Sequence, residues 1–213
     1  MKNSIRLTLF SGLLLATGVA NAGWSANVGW ASDYYFRGIL QSPTSPNGGI
    51  DYESDTGFYA GTWAADVYDG LEVDGYFGYA GEAGDFTYGI GYTGYFYTGD
   101  FDDTYQEINL SGGFGLVTLD VAIGKYDGDF DPVAAGDQDE YIYYSLTVEN
   151  NGFYGKVAGF GQDADGAYFE AGYGFSVAEL DLGISLLVAD EDLTVTGDTN
   201  ETLIFTIGKS FDL

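Results

Sequence analysis

Histidine and cysteine, which carry most nucleophilic and metal chemistry near neutral pH, are both absent from the 213 residues. Ser-His-Asp hydrolysis, thiolate nucleophiles, disulfides and imidazole or thiolate metal sites are therefore all removed. What is left for chemistry is carboxylate: 33 Asp and Glu stand against 6 Lys and Arg, for a net charge of −27. Two carboxylates can act as acid and base, but acids are so frequent here that no pair stands out. The chain reads as no enzyme, and no cofactor is assigned to it. The run Asp127-Gly128-Asp129-Phe130-Asp131 offers the hard oxygen ligands that suit calcium. It fails as an EF-hand loop, because Pro132 stands where glycine is required and Gln138 where a bidentate Glu is required. The acidic stretches at 100–103, 163–165 and 190–192 read as solvated loops. At most they bind divalent cations weakly, and no metal site is assigned. With so few basic residues the chain lacks the Lys/Arg clusters that neutralise phosphate, so nucleic acid is not an expected partner.

These residues must be positioned by some element, and the first 22 belong to none. Lys2 and Arg6 precede an apolar stretch from Leu7 to Val19, followed by Ala20-Asn21-Ala22. This is the basic, apolar and small-x-small order of a secretory signal peptide, with cleavage expected after Ala22. The apolar part is shorter than the about 20 residues that a helical anchor needs. Residues 23–213 are read as one domain. Removing a leader with two basic and no acidic residues takes the net charge from −27 to −29.

Past the leader, apolar residues alternate with period two. Leu180, Leu182, Ile184, Leu186 and Val188 oppose Asp181, Gly183 and Ser185, with Leu187 the exception. Val117, Leu119, Val121 and Ile123 oppose Thr118, Asp120, Ala122 and Gly124, and Phe86, Tyr88, Ile90 and Tyr92 oppose Thr87, Gly89, Gly91 and Thr93. Such segments run about nine to eleven residues, the length with which a tilted strand crosses a bilayer. Turn signals give about twelve strands, within a range of ten to fourteen. They start near Trp24, Gly48, Phe58, Leu71, Phe86, Tyr105, Leu116, Glu140, Phe153, Ala167, Leu180 and Thr202. Tight links (54–57, 81–85, 113–115, 150–152, 176–179) alternate with mostly longer, polar ones (38–47, 98–104, 126–139, 161–166, 190–201), the 68–70 link being short. Sorted link lengths are the mark of an up-and-down membrane β-barrel with short periplasmic turns and longer acidic outer loops.

In that fold the apolar faces meet outer-membrane lipid and the polar faces line a lumen. Trp24, Trp30, Tyr34, Tyr52, Tyr59, Trp63, Tyr79, Tyr97 and Tyr144 are expected to form aromatic girdles at the two interfaces. Lys209 falls on the lipid face, tolerable because it lies near the chain end. Parity places Asp33, Arg37, Glu72, Asp74, Glu107, Asp120, Glu170 and Asp181 in the lumen. Asp33 and Arg37, four apart on one strand, share a face. Small residues among them leave room for water, and one basic residue cannot neutralise seven acids. The interior is therefore expected to be hydrated and to favour cations or zwitterions.

The stretch Val28-Gly-Trp-Ala-Ser-Asp-Tyr-Tyr-Phe-Arg-Gly38, followed by Gln41-Ser42, resembles the opening of the bacterial family Gcw_chp, also called TorF-like porins. The likeness continues through Gly49-Ile-Asp-Tyr-Glu53, Gly57-Phe-Tyr-Ala-Gly-Thr-Trp-Ala64 and Glu72-Val-Asp-Gly-Tyr-Phe-Gly-Tyr79. The resemblance implies an outer-membrane porin-like barrel with no established reaction. Three functions are expected from these features, in order. They are a passive channel for small hydrophilic solutes, a non-conducting barrel that binds a partner or ions through its acidic loops, and a soluble periplasmic ligand-binding barrel.

Overall fold

Period-two alternation, β-branched and aromatic residues and recurrent turn signals produce twelve antiparallel strands, as the sequence predicts. The computed structural model describes residues 22–128 and 138–213. The strands are β1 (Gly23–Phe36), β2 (Ile39–Glu53), β3 (Phe58–Asp66), β4 (Leu71–Ala83), β5 (Phe86–Tyr97), β6 (Tyr105–Phe114), β7 (Val117–Tyr126), β8 (Asp139–Asn150), β9 (Phe153–Gln162), β10 (Ala167–Val177), β11 (Leu180–Ala189) and β12 (Asn200–Asp212). Each pairs with its sequence neighbours, and β1 pairs with β12 to close the barrel. Closure leaves no long unpaired edge. The leader lies outside the described residues except for Ala22, as does most of the Asp127–Asp131 run.

One rim carries tight turns, such as Asn151-Gly152, where both residues have positive φ (52° and 84°). That is the type I′ pattern, whose twist matches the flanking strands. The opposite rim carries the longer links, including residues 190–199 with a short 3-10 turn at Glu191–Leu193.

The expected 38–47 loop is corrected. β2 starts at Ile39, and its link to β1 is the two-residue turn Arg37-Gly38, with φ of 51° and 89°. Ser, Thr and two prolines in this stretch have the composition of a loop, yet it pairs with β1 as far as Phe36↔Ile39. It tolerates Pro43 and Pro46 because β2 meets β3 only from Asn47 onward, so no ladder bond is required of them on that side. β1 in turn leaves β12 after Ala31. The tip of the β1–β2 hairpin is thus laddered to neither wall neighbour. A register shift between Tyr34 and Tyr35 bends it, and both tyrosines are buried. Gly38 packs under Leu193 and Tyr168, where an added Cβ would lie 2.8 and 2.9 Å from their Cδ1 atoms. The tip is therefore a flap folded into the long-link end of the barrel.

The packing is inside out relative to a soluble protein. Large apolar side chains are exposed on every strand except β3, among them Val28, Ile90, Leu119, Val157 and Leu203, all at least half exposed. Buried polar residues, including Glu72 and Glu107, face inward. The girdle expectation is corrected in part. Trp24, Trp30, Tyr79 and Tyr144 are exposed, and Tyr52 packs against Trp24. Tyr34, Tyr59, Trp63 and Tyr97 point inward, because aromatic residues at these positions have polar partners or glycine seats inside.

Those seats are regular. Tyr76 lies over Gly61, Tyr141 over Gly124, Tyr154 over Gly172 and Tyr59 over Gly78, each pair directly cross-strand in register. These four glycines hold tyrosine rings, whereas others, such as Gly113 and Gly183, face threonine side chains.

Candidate functional site

Arg37 is carried by the flap to the centre of the barrel, where it is buried. Its guanidinium makes a two-pronged pair with Glu107 of β6, Nη2 donating to Oε2 at 2.8 Å and Nη1 to Oε1. Such fork-to-fork geometry is the strong form of an ion pair. Glu107 also accepts from Tyr141 (2.7 Å), Tyr95 (3.0 Å) and Asn109 (2.9 Å). Thr93 orients Asn109 at 2.8 Å. The Arg37 carbon Cζ lies 4.1 Å from the Tyr143 ring centroid and 4.8 Å from that of Phe36, within cation–π range.

Glu72 of β4 is fully buried and accepts from Tyr34 (2.6 Å) on the flap and Tyr97 (3.2 Å). Asp74 is 8% exposed, and its Oδ1 has no protein hydrogen-bond partner. Three carboxylates thus share this level with one guanidinium. Tyr35, Tyr143, Tyr168, Leu187, Leu193 and Ile204 pack together inside the barrel as one buried cluster.

A cavity of about 80 Å³ lies beside this level. That is several times the roughly 10–15 Å³ one water needs. Asp33, Glu170, Asp181, Ser185 and Thr206 line it, and Arg37, Tyr34 and Leu187 roof it. The cavity thus runs from the hairpin tip and the apolar cluster toward Ser176 and Asp181 at the short-turn end, with space for water beside acidic side chains.

The eight residues expected in the lumen fall into separate groups. Arg37, Glu72, Asp74 and Glu107 form the central level. Asp33, Glu170 and Asp181 line the cavity, with hydroxyl partners Ser32 (3.0 Å), Tyr154 and Ser176 (2.5 Å) respectively. Asp120 stands apart, bridged to Ser111 (2.7 Å) and Ser145 (3.3 Å) on the neighbouring strands. The shared-face argument is corrected: Arg37 lies in the turn beyond β1 rather than four along the same strand as Asp33; both line the cavity, but they meet different partners.

Parity reasoning missed Asp51, held by Asn27 (3.1 Å) and Tyr76, and Lys156, buried opposite Thr147 and Glu170 in register. Both were legible. Ile50 and Val157, each next in sequence, are exposed apolar residues, which fixes their neighbours as inward. Tyr95, Tyr141 and Tyr143 were not singled out from the sequence, which carried no signal to separate them from the other tyrosines. Outside, Lys209 pairs with Glu179 at 2.9 Å and Lys125 with Glu140 at 3.1 Å. Lys209 thus sits at the short-turn rim, where a basic residue costs little.

Among solved structures, a NanC porin superposes with a TM-score of 0.56 at 13% identity, covering 90% of this chain and all of that one. Pseudomonas aeruginosa OccK2 (OpdF) gives 0.43 at 16% identity over 86% of this chain and 62% of that one. OccK1 (OpdK) of the same organism gives 0.42 at 14%, over 81% and 57%. The chain spans less than two thirds of the OccK structures, whereas the NanC match shows the barrel fold. No curated protein matches the chain by sequence. The model of a family of bacterial proteins of unknown function, Gcw_chp, matches residues 16–211, and the chain belongs to that family.

Proposed function

We propose that this protein is an outer-membrane porin-like channel that passes small hydrophilic solutes, with a preference for cationic or zwitterionic ones. The observation that carries this reading is the inverted barrel: an apolar exterior on eleven strands around a polar interior with an acidic cavity. A soluble monomer rarely exposes apolar patches beyond a few hundred Å², which argues against a periplasmic ligand-binding protein. Strands closed on themselves satisfy the backbone in hydrocarbon, and the signal-like leader supplies an export route. Asp33, Glu170 and Asp181 would draw cations to the cavity and repel anions. The eight inward residues expected from parity are the solute-facing candidates, joined by Asp51 and Lys156.

A non-conducting barrel is the second reading, favoured by the apolar cluster and the Arg37–Glu107 pair inside the barrel. Planar-bilayer recording on the refolded protein separates the two. The channel reading expects cation-selective current, with reversal potentials in a salt gradient that favour the cation. A barrel that inserts, shows heat-modifiable mobility on gels and carries no current defeats it.

A further inference from the structure

Arg37 has the surroundings of a bound ligand. It arrives on a flap laddered to neither neighbouring strand, at a residue with φ of 51°, and crosses the interior to reach Glu107. The receiving groups belong to the wall. Glu107 and Asn109 lie on β6, Tyr95 on β5, Tyr141 on β8 and the Tyr143 ring over the cation also on β8. Tyr95, Tyr141 and Asn109 orient the Glu107 carboxylate without Arg37, and Thr93 orients Asn109. The site therefore needs none of the flap's atoms to be assembled. Two further carboxyl groups stand beside it, Glu72 and Asp74, and one Asp74 oxygen is buried without a protein hydrogen-bond partner. A planar cation with two parallel N–H donors matches the fork of Glu107, and the ring of Tyr143 covers its face. Arg37 itself also lines the cavity, so it stands between that space and the Glu107 site.

We propose that Glu107, with Tyr95, Tyr141, Asn109 and the Tyr143 ring, is a binding site for guanidinium cations that Arg37 of the flap occupies in cis. A solute bearing a guanidinium group competes with Arg37 for Glu107. Displacement of Arg37 releases the flap's contact with the opposite wall. The binding statement stands by itself; only its consequence for passage rests on the channel reading.

The test uses the full barrel with Arg37→Ala, which leaves the site empty, and methylguanidinium as the probe. In detergent, millimolar methylguanidinium should raise the unfolding temperature of Arg37→Ala saturably. It should not do so for the wild type or for Arg37→Ala/Glu107→Gln, and methylammonium at equal ionic strength should have a weaker effect. No saturable stabilisation of Arg37→Ala beyond that of the double variant overturns the proposal. If Arg37→Ala does not fold alone, recovery of its heat-modifiable band when refolded with methylguanidinium supports the site. Failure to recover it overturns the site. In bilayers, Arg37→Ala should carry several-fold more current than the wild type, and methylguanidinium should reduce it. Equal currents overturn the flap's role in passage. Absence of current in both, with binding intact, overturns the channel reading alone.

Discussion

At Arg37 a left-handed backbone, worth roughly 1–2 kcal/mol of strain for a non-glycine residue, is held by the Glu107 pair it reaches. The strength of that hold follows from burial. Removing one partner of a buried ion pair leaves the other charge uncompensated and costs about 3–5 kcal/mol. Glu107→Ala should lower unfolding stability by that amount, measured by urea titration in lipid vesicles or micelles. A loss under ~1 kcal/mol would mean that Arg37 swings into the cavity and finds water instead. The Lys209–Glu179 pair is the contrast. Its hydrogen bond and charge hold the Glu179 carboxyl below the ordinary carboxylate range. Such a lowered value adds stability above the ordinary range, which is lost as pH falls through the folded-state value. Because Glu179 lies fully exposed in a turn and is screened by salt, Glu179→Gln should leave the urea midpoint unmoved at neutral pH and physiological salt.

Between strands, the repeated Tyr-over-Gly pairing couples the wall to the central level. Tyr141 both covers Gly124 on β7 and donates to Glu107 on β6. A methyl group on Gly124 would collide with the Tyr141 ring, and that ring is 2% exposed, with little space to retreat. Overpacking of this kind costs about 1–3 kcal/mol. Gly124→Ala is therefore expected to destabilise the barrel by that much. It should also weaken the Arg37–Glu107 latch, raising bilayer current relative to wild type if the chain conducts. Substitution of the unencumbered Gly75, where a Cβ meets nothing within 4 Å, is the matched control and should do neither.

Over the whole molecule, the exterior sets the solvent. Ile184 lies near the middle of β11 and faces out, whereas Phe211 faces out near the end of β12. A basic residue on the lipid face costs about 2–4 kcal/mol at the bilayer midplane and roughly 0–1 near the interfaces. Ile184→Arg should therefore lose several kcal/mol in vesicle unfolding while Phe211→Arg loses little. Equal, small effects from both would mean that this surface does not meet hydrocarbon.

Eleven of the twelve strand starts and the short-turn rim were legible in the sequence. The reason is local: side chains alternate by covalent geometry, so an exposed Val157 or Ile50 fixes its neighbour without knowledge of the fold. What lies inside was not legible. Asp33 and Arg37 share a parity on paper, but Arg37 lies in the turn beyond β1 and the two meet different partners. Tyr59 and Tyr97 have the composition of an interfacial girdle and turn inward, because glycine and carboxylate partners await them on other strands. The Arg37–Glu107 pair joins residues seventy apart, across the diameter of a closed sheet. Period two assigns a residue to a face; only closure and register, which bring distant strands to the same level, decide what it meets there.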